Sequence, residues 1–262
     1  MPVALAVAAL WAFIVAFSVP AGMPIRTALE AWCYWSADLL DPYARSIWTA
    51  PGAYVYSPAF LQAIAPLTAL AWPVFVAAWT GLLLLALRVM TGTRWFLLGI
   101  ALASMELLGG NISLFLALAI VAGFRYPAAW AFVLLTKITP GIGLLWFVVR
   151  GEWRSLGIAL GTTAAIVAVS AIIMPGAWLE WIEVLQASVG KDGTWASVPI
   201  PLALRFPVAI AVVVWGARTN RRWTVPVASM LALPALWYGS LSMLLAVIPL
   251  SRDDQDAPRH IR

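Results

Sequence analysis

The charged residues of this chain stand singly or in pairs between apolar segments, and that arrangement decides which solvent can hold it. Runs such as Trp72 to Leu87 and Ser155 to Met174 carry no charge at all. Of 262 residues, 63% are hydrophobic and 10% are charged, against roughly 25% charged in a soluble domain. Water cannot accommodate that much apolar surface at this length, so lipid must be the solvent. The net charge of +5 does not point to nucleic acid, because the arginines lie where cytoplasmic turns of membrane proteins carry them. Cys33 is the only cysteine, which rules out an internal disulfide.

The first apolar stretch, Pro2 to Val19, lacks a basic leading region and a small-residue cleavage site, so it reads as a retained helix. A long polar-aromatic loop follows to about Tyr56. Ser57 to Leu70, interrupted by Pro58 and Pro66, is short for a span and reads as an interfacial helix. Further spans are expected at Trp72–Leu87, Trp95–Leu108, Ile112–Phe124, Ser155–Met174 and Ile200–Trp215. Arg88 and Arg94 flank one turn, and Gly109-Gly110-Asn111 marks another. Two stretches, Tyr126–Val149 and Thr224–Leu250, carry proline at their centres. Read as hairpins turning near Lys137-Ile138-Thr139-Pro140 and Pro234-Ala235-Leu236-Trp237, they put Arg88, Arg94, Arg125, Arg150, Arg154, Arg218, Arg221 and Arg222 on one side, as the positive-inside rule demands. The limbs fall short of the ~20 residues of a full span, so they must pack against neighbours or stop at a cavity. The expected fold is all-α and polytopic. It has eight to ten membrane helices counting the short limbs, in a single domain over 1–250, followed by a polar, disordered cytoplasmic tail over 251–262.

This topology gathers Glu30, Asp38, Asp41, Glu180, Glu183 and Asp192 on the outer side. A carboxylate there can act as general base on a hydroxyl, although each one taken singly also fits a loop charge or a helix cap. Tyr34, Trp35, Tyr43, Trp48, Tyr54 and Tyr56 offer flat amphipathic faces, which suit sugars and the headgroup zone equally. Glu106, Lys137 and Arg205 sit in apolar context, where an ionisable group usually serves a site or a partner. Lys137, at a proline-bounded break, is the sharpest of them; it suits the phosphate of a lipid-linked donor, and an ion pair with Glu106 is the plainer alternative. The sequence holds no HExxH, no P-loop, no Cys/His cluster and no Ser-His-Asp set, and its only histidine, His260, is in the tail.

In their order these motifs resemble glycosyltransferase family 87, polytopic enzymes of the GT-C class. The resemblance rests on Tyr34-Trp35-Ser36-Ala37-Asp38, Asp41-Pro42-Tyr43, Ala53-Tyr54-Val55-Tyr56-Ser57-Pro58-Ala59-Phe60 and Ala65-Pro66-Leu67. It continues through Gly110-Asn111-Ile112-Ser113, Leu135-Thr136-Lys137-Ile138-Thr139-Pro140, Arg150-Gly151-Glu152-Trp153-Arg154 and Leu233-Pro234-Ala235-Leu236-Trp237. It implies transfer of a hexose, often mannose, from a polyprenyl-phosphate sugar to a glycolipid or polysaccharide acceptor outside the plasma membrane. The family's catalytic Asp precedes the Tyr-Trp pair. Glu30 is the nearest carboxylate here, with Asp38 as its rival.

Lys137, with Arg205, would meet the donor phosphate. Tyr34, Asp41, Tyr54, Tyr56, Asn111 and Trp237 are the candidates for sugar and acceptor contact. No cofactor is specified; the carboxylates are of a type that holds a divalent metal, but no spacing fixes one. The other expected partner is membrane lipid, and the composition suggests a high-GC bacterial source. The chain departs from the family at Glu30 and, after the late Pro-x-x-Trp, at Tyr238-Gly239, where the family often has His. Two further readings stand beside the transferase: an inactive member that binds polyprenyl-phosphate lipids, and a transporter or scaffold.

Overall fold

The computed structural model describes residues 2–18, 27–44, 53–188 and 197–256. Arg26, Arg45, Trp48, Lys191, Asp192 and His260 lie outside them. Among the described residues the regular structure is helical, with two isolated bridge pairs as the extended contacts. Three helices are long and apolar enough to cross a membrane: α4 (Trp72–Leu102), α9 (Trp153–Ile173) and α11 (Leu202–Thr219). The others are shorter, among them α1 (Pro2–Ala16) and α6 (Ser113–Gly123).

Each expected turn has a local cause. Helix α4 doubles back at Gly92, whose φ of 65° and ψ of −172° are not helical. A carbon added at Gly99 would stand 2.9 Å from Thr91 Cγ2 and 3.0 Å from Leu87 Cδ1, a proximity that a straight helix forbids. The reversal falls between Arg88 and Arg94, as the sequence predicts. α5 (Ser104–Gly109) ends at Gly110, in the left-handed region with φ of 71°. A Cβ there would also stand 2.8 Å from Ala31 Cβ, so glycine meets both the turn and the close approach of the first loop.

Both proline-centred stretches are hairpins. The first runs through a 3-10 turn (Pro127–Ala129) and α7 (Trp130–Thr136), breaks at Lys137, and returns through a 3-10 segment (Thr139–Leu144) and α8 (Leu145–Arg150). The return is shown by ring pairs between the limbs, Phe124 with Trp146 at 5.4 Å and Trp130 with Phe147 at 6.3 Å. The second hairpin runs through α12 (Thr224–Leu231), a break over 232–237, a 3-10 segment (Tyr238–Ala246) and α13 (Val247–Asp256). Ser229 Oγ donates to Pro140 O at 2.9 Å, tying the two hairpins near their breaks. α13 carries the helix on to Asp256, into the stretch expected to be disordered.

The arginine turns gather at one end: Arg150 Nη1 donates to Ala217 O at 3.2 Å, and Arg222 lies 5.5 Å over the Phe124 ring. Both hairpin breaks, the Gly110 turn and the first loop gather at the other. There α2 (Leu29–Trp35) is fastened by Ala28 N–H donating to Leu108 O at 2.6 Å. α10 (Pro175–Ser188) joins them through Trp181 Nε1, which donates to Val55 O at 3.2 Å.

α3 (Pro58–Thr68), the short proline-broken helix, packs one side inward: Pro58, Ala59, Phe60, Leu61 and Ile64 are buried, Ala63 and Pro66 are exposed, and the Ser57 cap donates from its hydroxyl to Leu135 O beside the first hairpin.

Candidate active site

The loop end brings together residues far apart in sequence. Glu30, in the first turn of α2, and Lys137, at the first hairpin break, are electrostatically coupled. Lys137 is held there because Thr136 ends α7 and Lys137 itself is extended, with φ of −141° and ψ of 111°. Both side chains are half-buried, so each keeps some access to whatever enters the site. Lys137 Nζ lies 6.0 Å from the centroid of the Tyr56 ring, within the range of a cation–π contact. Burial pushes the Glu30 carboxyl above its ordinary range, and the Lys137 charge pulls it partly back. A carboxyl raised in this way is a better proton acceptor near neutral pH.

Behind this pair stands an aromatic wall. Tyr34 packs edge-on against Tyr56 at 5.2 Å and Phe60 at 5.7 Å, and tilted against Trp79 at 5.3 Å. Its hydroxyl lies 3.2 Å from that of Tyr56 and donates to Asn111 Oδ1 at 3.3 Å. Asn111 Oδ1 also accepts from Ile112 N–H at 2.7 Å, and Trp79 Nε1 donates to Gly110 O at 2.8 Å. Tyr43 OH donates to Tyr56 O at 2.6 Å, and Tyr54 OH to Ser57 O at 2.8 Å. The wall therefore locks the first loop onto the Gly110 turn and the start of α3.

Several candidates take other positions than the sequence suggests. Tyr34, Tyr54 and Tyr56 are buried and build the wall. Asp38 and Asp41 are exposed and line a separate cavity of about 220 Å³ with Ser36, Ala37, Pro42, Ala44 and Tyr54. Asp38 Oδ1 accepts from Leu40 N–H at 2.8 Å, a turn of the Asx kind.

Trp237 is half-buried in the second hairpin break, where its main chain pairs with Ser197. Arg205 is a clamp: Nε donates to Ile200 O at 2.7 Å, Nη1 to Leu231 O at 2.7 Å and Leu233 O at 2.8 Å, and Nη2 to Pro234 O at 2.9 Å. Its guanidinium is spent on the carbonyls that the break sets free. Among the described residues, no three His, Cys, Asp or Glu side chains converge as a metal site requires.

The sequence leaves Glu106 without a role, and the structure gives it a central position. Its Oε1 accepts the Ser113 N–H and, at 3.3 Å, the Leu114 N–H, which otherwise lack partners in the first turn of α6. Only its apolar surroundings mark it in the sequence.

The family model for glycosyltransferase family 87 matches residues 54–248, most of the chain. The chain belongs to glycosyltransferase family 87. As a family 87 member it is a membrane glycosyltransferase by kind, and its partners are a sugar donor and an acceptor. No curated protein and no solved structure matches it. The matched region holds Tyr54, Tyr56, Asn111, Lys137, Arg205 and Trp237; it begins after Glu30, Tyr34, Asp38 and Asp41. What ties the Glu30 helix to the matched region is the packing of Tyr34 on Tyr56, over which Lys137 lies.

Proposed function

We propose that this family 87 member transfers a hexose, mannose as the first candidate, from a polyprenyl-phosphate sugar to a lipid or cell-envelope acceptor on the outer face of a bacterial plasma membrane. Glu30 accepts the proton of the acceptor hydroxyl as that oxygen bonds to the anomeric carbon. The bond from the anomeric carbon to the phosphate oxygen breaks, and polyprenyl phosphate leaves. The Lys137 ammonium meets the charge growing on that phosphate, in a site where low dielectric strengthens the attraction. Tyr34, Tyr56 and Asn111 fix the distance between base and cation.

The observation that carries this reading is that one aromatic wall serves both groups: Lys137, a candidate phosphate-binding cation, lies over the Tyr56 ring, and α2, which carries the candidate base Glu30, packs its Tyr34 against the same ring. The test is to supply radiolabelled polyprenyl-phosphate hexoses and native lipid extract to membranes containing the protein. Glu30→Gln should lose about 10²–10⁴-fold in transfer rate with donor binding retained. Undiminished transfer in Glu30→Gln, with loss in Asp38→Asn, would move the base to Asp38. A wild-type protein that binds polyprenyl phosphates and transfers nothing would make it a lipid-binding member without activity.

A further inference from the structure

Glu106 is the buried ionisable group that the proposed transfer leaves without a task. It is 1% exposed. Its Oε1 is occupied by the N–H groups at the start of α6, whose own N-cap, Ile112, has no side chain able to serve them. Its Oε2 is buried with no hydrogen-bond partner among the described residues. Gly239, in the second hairpin, comes close to that oxygen: an added Cβ would stand 3.3 Å away. Glycine therefore brings no side-chain donor to the uncovered oxygen from that side. Among the described residues the one ion pair is Arg150 with Glu152, so no cation there touches Glu106. The cation whose charge acts on it is Lys137, and the turn that ends the Glu106 helix leads there through the wall: Asn111 accepts from Tyr34 OH, Tyr34 packs on Tyr56, and Lys137 lies over the Tyr56 ring.

An isolated carboxylate in an apolar interior is costly, and removing the partner of a buried charge is destabilising. Half of the Glu106 carboxylate is held by the α6 N-terminus, which favours its negative charge. The other half is turned to no donor. Lys137 has a flexible stem with three rotatable donors, and its ammonium rests over the Tyr56 ring with no ion-pair contact among the described residues.

We propose that Glu106 is a positioning residue for Lys137, the fixed counter-charge that keeps the ammonium at the site while it is empty and that the phosphate of a polyprenyl-linked ligand supplants. The phosphate part of this inference rests on the reading of Lys137 given above; the pairing of Glu106 with Lys137 does not. Glu106 acts through Lys137 and need not touch the sugar.

Two measurements separate these parts. In the first, no ligand is added, and the melting temperatures of detergent-purified wild type, Lys137→Met, Glu106→Gln and the double variant are compared. Lys137→Met leaves Glu106 uncompensated and should melt lower; adding Glu106→Gln, which keeps an acceptor for the α6 N–H groups, should restore most of the loss. Additive effects would overturn the pairing. Should Glu106→Gln fail to fold alone, recovery of a folded protein in the double variant upholds the pairing, and failure of both overturns it.

In the second, polyprenyl monophosphate is the probe. Glu106→Gln should bind it about tenfold more tightly, because a competing negative charge is gone, and should show a lowered KM with a lowered kcat as product release slows. Weaker binding would overturn the counter-charge role. A coupled melting cycle with unchanged phosphate affinity would uphold the pairing and overturn the phosphate reading of Lys137 instead.

Discussion

Lys137 and Arg205 are both cations in apolar sequence, and both stand beside a hairpin break, yet the fold uses them in opposite ways. Arg205 reaches the second break from α11 and donates to four of the carbonyls around it. Lys137 belongs to the first break itself, remains half-buried and makes no ion pair among the described residues. The first break is closed by other means: Thr136 Oγ1 donates to Phe132 O at 2.6 Å, Ser57 covers Leu135 O, and Ser229 covers Pro140 O. The Ser57 and Ser229 hydroxyls, from neighbouring elements, satisfy main-chain carbonyls there, which leaves the ammonium available. A planar fork with five donors suits the first task, and a mobile point charge suits the second.

Exchanging the cations is the sharpest way to break this contrast. Arg205→Lys should cost about 3 kcal/mol or more, because an ammonium cannot reach carbonyls spread over Ile200 and Leu231 to Pro234, and buried acceptors left unmet cost ~1–3 kcal/mol each. A melting temperature lower by roughly 5–10 °C in detergent would register it; an unchanged one would remove the clamp. Lys137→Met should keep helicity and membrane insertion, melt lower by a smaller margin, and lose about tenfold or more in donor use. Wild-type transfer in that variant would reduce Lys137 to a structural residue.

The smallest effect is on pH. Glu30 must be ionised to act as base, and burial raises its pKa while Lys137 lowers it. Transfer should therefore rise with pH through a limb above the ordinary Glu value of 4.5. In Lys137→Met the limb should move to higher pH, since the lowering influence is lost. In any Arg205 variant that still folds it should stay in place. A limb that moves in both would mean that the pH profile reports general disorder of the site.

The hairpins are legible in the sequence because proline removes a main-chain donor and the arginines are expected on one side of the membrane, and both are properties of a residue type. The occupation of Arg205 is not legible there. Its partners are carbonyls, which every residue has, and only the path of the chain decides which of them are free. The packing of the tyrosines is hidden for a related reason: a Tyr in a loop has the same sequence signal whatever its ring faces, and here Tyr34, Tyr54 and Tyr56 face neighbouring rings. Asp38 and Asp41 share the loop and the charge of Glu30, and only the path of the chain puts them on a cavity of their own, after a turn closed by Asp38 on Leu40 N–H. Glu106 is visible as an oddity, but an oxygen without a donor is a fact about its surroundings. α13 continues past Ser251 because a helix already formed can extend through polar residues at little cost.

The shortness of the first hairpin limb sets a depth. Three residues of 3-10 turn and seven of α-helix separate the Arg125 level from Lys137, a rise of roughly 17 Å. The hydrocarbon of a bilayer is ~30 Å thick. Were Arg125 to stand at one headgroup layer, the Lys137 level would lie about 13 Å inside the opposite hydrocarbon boundary. A lipid-borne sugar would then reach Lys137 by sliding sideways and sinking, with its chain still among other chains, and no apolar carbon would be drawn into water at ~0.8 kcal/mol per CH₂. The distance its headgroup must sink is set by the membrane as much as by the protein. A thinner bilayer shortens that descent and a thicker one lengthens it, so turnover should track acyl-chain length in reconstituted vesicles.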